Sequence, residues 1–204
     1  ISIFSFYELI LNKIFNKKSL ISSVFILIIY LFFDNLLSSY FVYFSIIFIL
    51  FLFFYKKFFE LFIPIIITIF LIEMHKLILV DRNMFYTLLL VCFINDTFAY
   101  IIGKNIGGKL IIPSISPKKT WSGTIGSFSI SFVIFIFMSF SLFQSVVLSA
   151  SLFIGDIFFS LVKRKFEIKD FSNILKSHGG ILDRLDSFIL LLLIFKLFSL
   201  IYFL

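Results

Sequence analysis

The amino-acid sequence predicts an all-α polytopic membrane protein with about seven transmembrane helices. Hydrophobic residues make up 61% of the 204 residues, and 34 of them are phenylalanine. Charged residues make up 14%, well below the roughly 25% of soluble domains. Apolar runs recur along the whole chain, and each approaches the ~20 residues that a membrane-spanning helix needs. Together these observations exclude a soluble globular protein.

Charged residues divide the chain into its apolar segments, each of which we expect to form a helix. The segments lie at 19–33, 36–55, 61–80, 84–102, 122–141, 143–162 and 187–204. Pro64 falls in the first turn of its segment, where proline is tolerated. The stretch from Trp121 to Gly155 carries no charge and is too long for one span, so we expect a turn near Gln144. No signal peptide, repeat or linker pattern divides the chain, which predicts one domain over 1–204.

Basic residues sort unevenly between the loops that this seven-helix arrangement places on opposite sides of the bilayer. Two of the eighteen, Lys76 and Arg82, fall on one side, and Lys196 lies within the last segment. By the positive-inside rule, the side with the other fifteen is cytoplasmic, together with the amino terminus. The net charge of +7 therefore reflects topology, and we expect no nucleic-acid partner. The fifteen are Lys13, Lys17, Lys18, Lys56, Lys57, Lys104, Lys109, Lys118, Lys119, Lys163, Arg164, Lys165, Lys169, Lys176 and Arg184.

Two aspartates lie inside predicted membrane segments. Asp96 precedes Gly103 by seven residues, and Asp156 precedes Lys163 by seven, so a rise of 1.5 Å per residue places both roughly 10 Å below the cytoplasmic surface. Charges at this depth are costly and usually mark function. The alternative is a pair of structural aspartates that are hydrogen-bonded to hydroxyl groups.

Polar residues continue from Asp156 into the second basic loop. Asp156, Ser160, Lys163 and Arg164 are spaced to share one helix face. After the loop, His178 precedes Gly179 and Gly180, and then Asp183, Arg184 and Asp186 follow; the two aspartates share a face if the last helix begins there. Carboxylates beside cations suit Mg²⁺ bound to a polyphosphate. An ordinary basic loop would explain the cations but not the two glycines or the paired aspartates.

The first basic loop contains part of a phosphate-loop pattern. Gly103, Gly108 and Lys109 fit G-x-x-x-x-G-K, but Leu110 stands where Ser or Thr would bind Mg²⁺, and a membrane helix precedes the loop. We therefore reject a P-loop fold. The glycines either let backbone N–H groups approach a phosphate or form a turn. The run from Ser116 to Thr120, S-P-K-K-T, adds cations and hydroxyl groups.

The sequence resembles the phosphatidate cytidylyltransferases, also called CDP-diglyceride synthases. The resemblance covers 95–187 and rests on the run from Ser160 to Asp186, S-L-V-K-R-K-F-E-I-K-D-F-S-N-I-L-K-S-H-G-G-I-L-D-R-L-D, and on an upstream pattern that ends with S-P-K-K-T. Two positions depart from the family pattern. Lys176 replaces a Pro or Gly, and Ser122 replaces a Glu.

The resemblance implies transfer of a cytidylyl group from CTP to phosphatidate, a membrane lipid, with Mg²⁺ as cofactor. It implies an integral protein of the bacterial inner membrane whose active site faces the cytoplasm, and it leaves a homodimer open. The implied catalytic residues are Lys163, Arg164, His178, Asp183, Arg184 and Asp186. The implied substrate-binding residues are Ser116, Lys118, Lys119, Thr120, Ser160 and Lys169, and the implied metal ligands are Asp96, Asp156, Asp183 and Asp186.

Two other functions fit part of the pattern. A CTP-dependent lipid kinase of the dolichol or phytol kinase type would use a similar cation-rich site, but it would transfer the γ-phosphate instead. An ion-conducting transporter would line its path with buried aspartates. A transporter predicts acidic residues across the whole membrane depth, whereas the four aspartates assigned to metal binding lie toward one side.

Overall fold

A computed structural model of the chain describes Glu8, residues 59–172, Ile174 and residues 179–201. This part is all-helical and has five helices: α1 (Phe59–Val80), α2 (Arg82–Ile106), α3 (Trp121–Phe137), α4 (Leu142–Lys165) and α5 (Leu182–Ile201). Each corresponds to one of the last five predicted segments. The segments predicted at 19–33 and 36–55 lie outside the described residues. Three described stretches are long and apolar enough to cross a membrane: Ile63–Val80, Arg82–Ile106 and Leu142–Lys165.

The helix boundaries differ from the predicted ones by up to five residues, and two of these differences concern the polar loops. Helix α2 continues through Gly103 to Ile106 and ends where Gly107 adopts a φ of 68° and donates its N–H to the Gly103 carbonyl at 3.0 Å. The first basic loop therefore begins one turn later than expected. Helix α5 begins at Leu182, five residues before the predicted segment, because the charged residues assigned to the loop belong to its first turns.

The turn that divides the long uncharged stretch is confirmed. Helix α3 ends at Phe137, and Ser141 caps α4. The Ser141 hydroxyl accepts the Gln144 N–H at 3.3 Å, while the Gln144 side chain accepts the Ser141 N–H at 2.9 Å. This capping box satisfies two N–H groups at the start of α4, which explains why the chain turns just before Gln144.

Close helix packing brings the polar residues of α2, α4 and α5 toward one another. A Cβ atom on Gly123 of α3 would lie 2.5 Å from the Ala99 carbonyl oxygen of α2. A Cβ atom on Gly155 of α4 would lie 3.1 Å from the Asp186 carbonyl oxygen of α5. Glycine at these positions lets the backbones approach, as small residues do in membrane helix pairs. As a result, Asp156 stands beside the start of α5.

Helix α5 lies at the centre of the described core. Its Phe188 ring is fully buried and makes edge-to-face contacts with Phe70 of α1 and Phe85 of α2, both with ring centroids 5.8 Å apart. Edge-to-face pairs of this kind add to the stabilisation from burial. The core therefore holds the first turns of α5 against the helices that carry the other polar residues.

Candidate active site

Residues 107–120 form a loop between α2 and α3, which we call the cationic loop. Its two ends are joined by hydrogen bonds from the Ile111 N–H to the Lys119 carbonyl and from the Trp121 N–H to the Lys109 carbonyl, each 3.0 Å. Thr120 caps α3 by accepting the Gly123 N–H at 3.2 Å. The loop is therefore pinned at its base.

The glycines of the phosphate-loop pattern have separate structural roles. Gly107 and Gly108 have φ angles of 68° and 113° and form the turn that begins the cationic loop. Gly103 lies inside α2, where a Cβ atom would come within 2.8 Å of the Thr120 hydroxyl oxygen. These positions agree with the rejection of a P-loop fold, because the first glycine belongs to a helix.

A cavity of about 260 Å³ lies between the cationic loop and helices α2, α3 and α4. Its walls include buried polar residues, Asn95 and Ser127. Six residues predicted to bind metal or substrate line it together, although they come from three separate stretches of the chain. They are Asp96, Ser116, Lys118, Lys119, Thr120 and Asp156.

Three of the charged side chains that face this cavity form a cluster. We call Asp96, Lys119 and Asp156 the cavity cluster. The Lys119 ammonium forms an ion pair with the Asp156 carboxylate across the gap between the loop and α4. The two side chains are 25% and 28% exposed. Asp96 lies within the electrostatic influence of both Lys119 and Asp156. The Lys119 Nζ atom is buried between the loop and α4, while the Asp156 carboxylate stays partly exposed, so a phosphate that enters the cavity could replace Asp156 as the partner of Lys119.

A second charged group lies at the start of α5, and we call Lys163, Asp183 and Asp186 the helix-start cluster. The Lys163 ammonium lies 2.8 Å from Asp183 Oδ1 and 3.6 Å from Asp186 Oδ2. These three side chains are only 7–11% exposed. Burial strengthens the interaction between the charges, and it also makes the loss of either partner costly.

Asp183 and Asp186 have different surroundings within this cluster. Asp183 Oδ2 accepts the Phe171 N–H at 2.8 Å and the Gly180 N–H at 2.9 Å, while Oδ1 binds Lys163. Asp186 accepts one backbone hydrogen bond, from the Ser187 N–H to Oδ1 at 2.8 Å. Donors therefore occupy both oxygens of Asp183, whereas Asp186 has more capacity to bind a further group.

Asp156 connects the two clusters. Its negative charge acts on Asp186 and Asp96, and the positive charge of Lys163 lies within its range. Asp96, Asp156 and Asp186 therefore lie within electrostatic range of one another. All three carboxylates would attract a bound cation.

The residues present fit a magnesium ion by their chemistry. In the described part of the chain, no three His, Cys, Asp or Glu side chains are gathered closely enough to hold a metal ion by themselves. Mg²⁺ is, however, usually held by one or two carboxylates together with waters and substrate phosphates. Asp156 and Asp186 supply two such carboxylates on adjacent helices, so phosphate oxygens would have to complete the coordination.

The other predicted site residues are spread around these clusters. Arg164 is exposed and donates from Nε to the Ile115 carbonyl at 3.1 Å, so it joins α4 to the cationic loop. Arg184 is exposed, and its charge acts on Asp96. Ser160 and Lys169 do not belong to the cavity wall. His178 lies outside the described residues, as does Lys176, one of the two departures from the family pattern.

Two residues in the site were not predicted to have a role there. The Ser122 hydroxyl, at the other departure from the family pattern, donates to the Gly107 carbonyl and lies 3.1 Å from the Thr120 hydroxyl, so it ties α3 to the start of the cationic loop. Glu8 is fully buried against the start of α5. No local pattern pointed to Glu8, because its partners lie more than 160 residues away in the chain.

Comparisons of the sequence with known proteins show which family and which relatives it matches. The sequence model of the cytidylyltransferase family matches residues 1–202. The chain is similar to proteins named phosphatidate cytidylyltransferase from Aquifex aeolicus (35% identity, over 76% of this chain and 60% of the relative) and Rickettsia bellii (44%, over 47% and 48%). It is also similar to phosphatidate cytidylyltransferase 4, chloroplastic, from Arabidopsis thaliana (42%, over 46% and 26%). The matched regions thus span at most 60% of the length of these relatives.

Proposed function

We propose that this chain, which belongs to the cytidylyltransferase family, transfers a cytidylyl group from CTP to phosphatidate and releases CDP-diacylglycerol and pyrophosphate. The observation that carries the proposal is the cavity, because it joins the cationic loop to carboxylates inside the helices. Cations there suit phosphate oxygens, and carboxylates beside them suit a metal that bridges phosphates.

In the proposed reaction, a phosphate oxygen of phosphatidate attacks the α-phosphorus of CTP. A new phosphorus–oxygen bond forms, and the bond between the α-phosphorus and the oxygen bridging to the β-phosphorus breaks, so that pyrophosphate leaves with its electron pair. The protein needs no covalent nucleophile. Alignment of the two phosphates and neutralisation of their charge provide most of the catalysis in reactions of this type.

Each cluster has a separate part in the proposed reaction. Lys118 and Lys119 bind phosphate oxygens in the cavity, and Lys119 exchanges Asp156 for the substrate as it does so. Lys163 stays beside Asp183 and Asp186, where it holds the start of α5. Asp156 and Asp186, with Asp96 nearby, would hold Mg²⁺, which would neutralise charge on the triphosphate. Asp183 stays a predicted ligand, although its oxygens already accept hydrogen bonds.

The proposed setting is a bacterial inner membrane, with seven spans and a cytoplasmic amino terminus. The fifteen-to-two sorting of basic residues supports this orientation, and the bacterial relatives support the location. CTP would then reach the cavity from the cytoplasm. The phosphate of phosphatidate would reach the cavity from the headgroup region of the inner leaflet.

The fate of labelled CTP tests the proposal. Purified protein in detergent would be incubated with phosphatidate, Mg²⁺ and CTP labelled at either the α- or the γ-phosphate. We expect the α-label in the lipid fraction and the γ-label in pyrophosphate, and we expect excess EDTA to stop both. Transfer of the γ-label to lipid would indicate a kinase, and undiminished turnover in EDTA would exclude the metal.

A further inference from the structure

The Glu8 carboxylate joins Ser172, within the stretch between α4 and α5, to the start of α5. Oε1 accepts the Ser172 hydroxyl and the Ile181 N–H, each at 2.7 Å, and Oε2 accepts the Leu182 N–H at 2.9 Å. The Glu8 side chain is 0% exposed. Burying a carboxylate is costly unless several donors compensate it, and these three donors come from two short segments that are distant from Glu8 in the chain.

These contacts replace a local cap on α5. Ile181 directly precedes the helix, and its apolar side chain cannot accept a hydrogen bond from the helix N–H groups. Glu8 accepts the N–H of Leu182, the first residue of the helix, together with that of Ile181, and its negative charge favours the positive end of the helix dipole. Glycine at position 180 leaves room for this contact, because a Cβ atom there would lie 2.6 Å from Glu8 Oε1.

The residues that follow this cap are Asp183 and Asp186. Leu182, whose N–H binds Glu8, directly precedes Asp183, and Asp186 follows one turn later on the same face. Any tilt or unwinding at the start of α5 would move both carboxylates away from Lys163 and Asp156. Hydrogen-bonding partners behind a catalytic group typically change its activity or metal affinity by about 10- to 100-fold when they are removed.

We propose that Glu8 is a positioning residue for the helix-start cluster, so that a side chain distant in the sequence completes the active site from behind. Glu8 fixes the first turn of α5, and that turn fixes the direction of Asp183 and Asp186. This inference rests on the proposed function for its kinetic consequence only. Its structural consequence, protection of the start of α5, does not depend on which reaction the protein catalyses.

The test compares Glu8→Gln with Glu8→Asp and with Glu167→Gln, a matched control that neutralises an exposed carboxylate. The amide NH₂ that Glu8→Gln introduces would face backbone N–H donors whichever way it turns. We expect kcat to fall about 10- to 100-fold with KM for CTP unchanged, because the cavity cluster is intact. The kcat of Glu8→Asp should lie between that of Glu8→Gln and that of the wild type, and the kcat of Glu167→Gln should equal that of the wild type.

Hydrogen exchange on the full chain in detergent separates positioning from a general loss of stability. We expect Glu8→Gln to accelerate exchange in peptides covering 179–186, while peptides from α3 and α4 keep wild-type protection. Equal acceleration in all three regions, or a folded Glu8→Gln protein with wild-type kcat, would overturn the proposal.

A second variant covers the case in which Glu8→Gln does not accumulate. Ser172→Ala removes one of the three donors and leaves Glu8 in place. We expect a smaller fall in kcat with the same local acceleration of exchange; wild-type kcat and exchange would overturn the proposal. If the wild type forms no CDP-lipid, the proposed reaction fails, while the exchange measurements still decide the role of Glu8 at α5.

Discussion

The two charged clusters differ in how firmly their ion pairs are held. In the cavity cluster, Lys119 and Asp156 are 25% and 28% exposed and belong to the cationic loop and to α4. In the helix-start cluster, Lys163 and Asp183 are 11% and 7% exposed, and Asp183 also accepts two backbone N–H groups. The first pair is suited to exchange with a substrate, whereas the second is suited to stay fixed.

This difference explains why a site for two phosphate substrates contains lysines in two settings. A lysine that has to bind and release phosphate needs a weak resting partner, and a partly exposed carboxylate is one. A lysine that holds a helix in place needs a buried partner, because removing that partner is costly. Asp156 belongs to the cavity cluster and Asp186 to the helix-start cluster, and the charge of Asp156 acts on Asp186. The two clusters are therefore neighbours at these two residues.

The largest expected effect is that of Asp186→Asn. The change keeps the size of the side chain and removes the charge that we assign to metal binding. We expect kcat to fall about 100- to 1000-fold, or ~3–4 kcal/mol of transition-state stabilisation, while the protein still inserts and folds. Turnover of purified protein would be compared with that of Asp170→Asn, which removes an exposed loop carboxylate. A folded Asp186→Asn protein with a near-normal rate at saturating Mg²⁺ would favour a structural role.

Asp183→Asn sharpens the contrast within the helix-start cluster. We expect turnover to fall as well, but here stability should fall with it, because an amide cannot accept from Lys163, Phe171 and Gly180 at once. A buried donor left without a partner costs about 1–3 kcal/mol. Thermal unfolding in detergent would measure the loss. Unchanged stability would show that Asp183 does not organise the start of α5.

Lys119→Gln should have a smaller effect of a different kind. We expect KM for CTP or phosphatidate to rise about tenfold, which corresponds to one charge-assisted hydrogen bond of ~1.4 kcal/mol. Stability should fall less than in Asp183→Asn, because Lys119 makes one ion pair whose carboxylate is partly exposed, whereas Asp183 also accepts two backbone N–H groups. Lys165→Gln, a change at an exposed lysine outside the cavity wall, is the control. Strong destabilisation by Lys119→Gln would mean that the ion pair of the cavity cluster stabilises the fold as much as that of the helix-start cluster.

Cysteine labelling tests the shared orientation of the clusters and should leave activity unaffected. Ser114→Cys and Asp170→Cys place exposed thiols in the two basic loops, and Asn83→Cys places one in the first turn of α2, close to the turn from α1. Cys92 is 1% exposed and should stay unlabelled. We expect the first two to react only from the cytoplasmic side and the third only from outside. Labelling of either basic loop from outside alone would reject the topology.

The sequence predicted the five described helices and the level at which Asp96 and Asp156 lie, because these signals were local. Charged residues marked the ends of the apolar segments. Asp96 and Asp156 each preceded a predicted basic loop by seven residues, which placed both at one depth. The turn before α4 was also predictable, and the Ser141–Gln144 capping box is a local pattern that would have located it more closely.

Other features could not be predicted because they depend on packing between distant segments. The separate surroundings of Asp183 and Asp186 follow from which backbone N–H groups approach each carboxylate, and spacing along the chain contains no such information. Glu8 is the clearest case, since nothing near it in the sequence indicates a cap on a helix that begins at Leu182. Gly103 was misassigned to a loop because its role is to let α2 and α3 approach.

A charge exchange between Lys119 and Asp156 tests most directly whether the cavity cluster takes part in the reaction or only joins the loop to α4. The double variant Lys119→Asp with Asp156→Lys keeps an ion pair between the loop and α4 but reverses which side carries each charge. We predict that this protein keeps the thermal stability of the wild type and forms no CDP-lipid from CTP and phosphatidate. Product formation near the wild-type rate would contradict the account, because it would show that the pair only joins the loop to the helix.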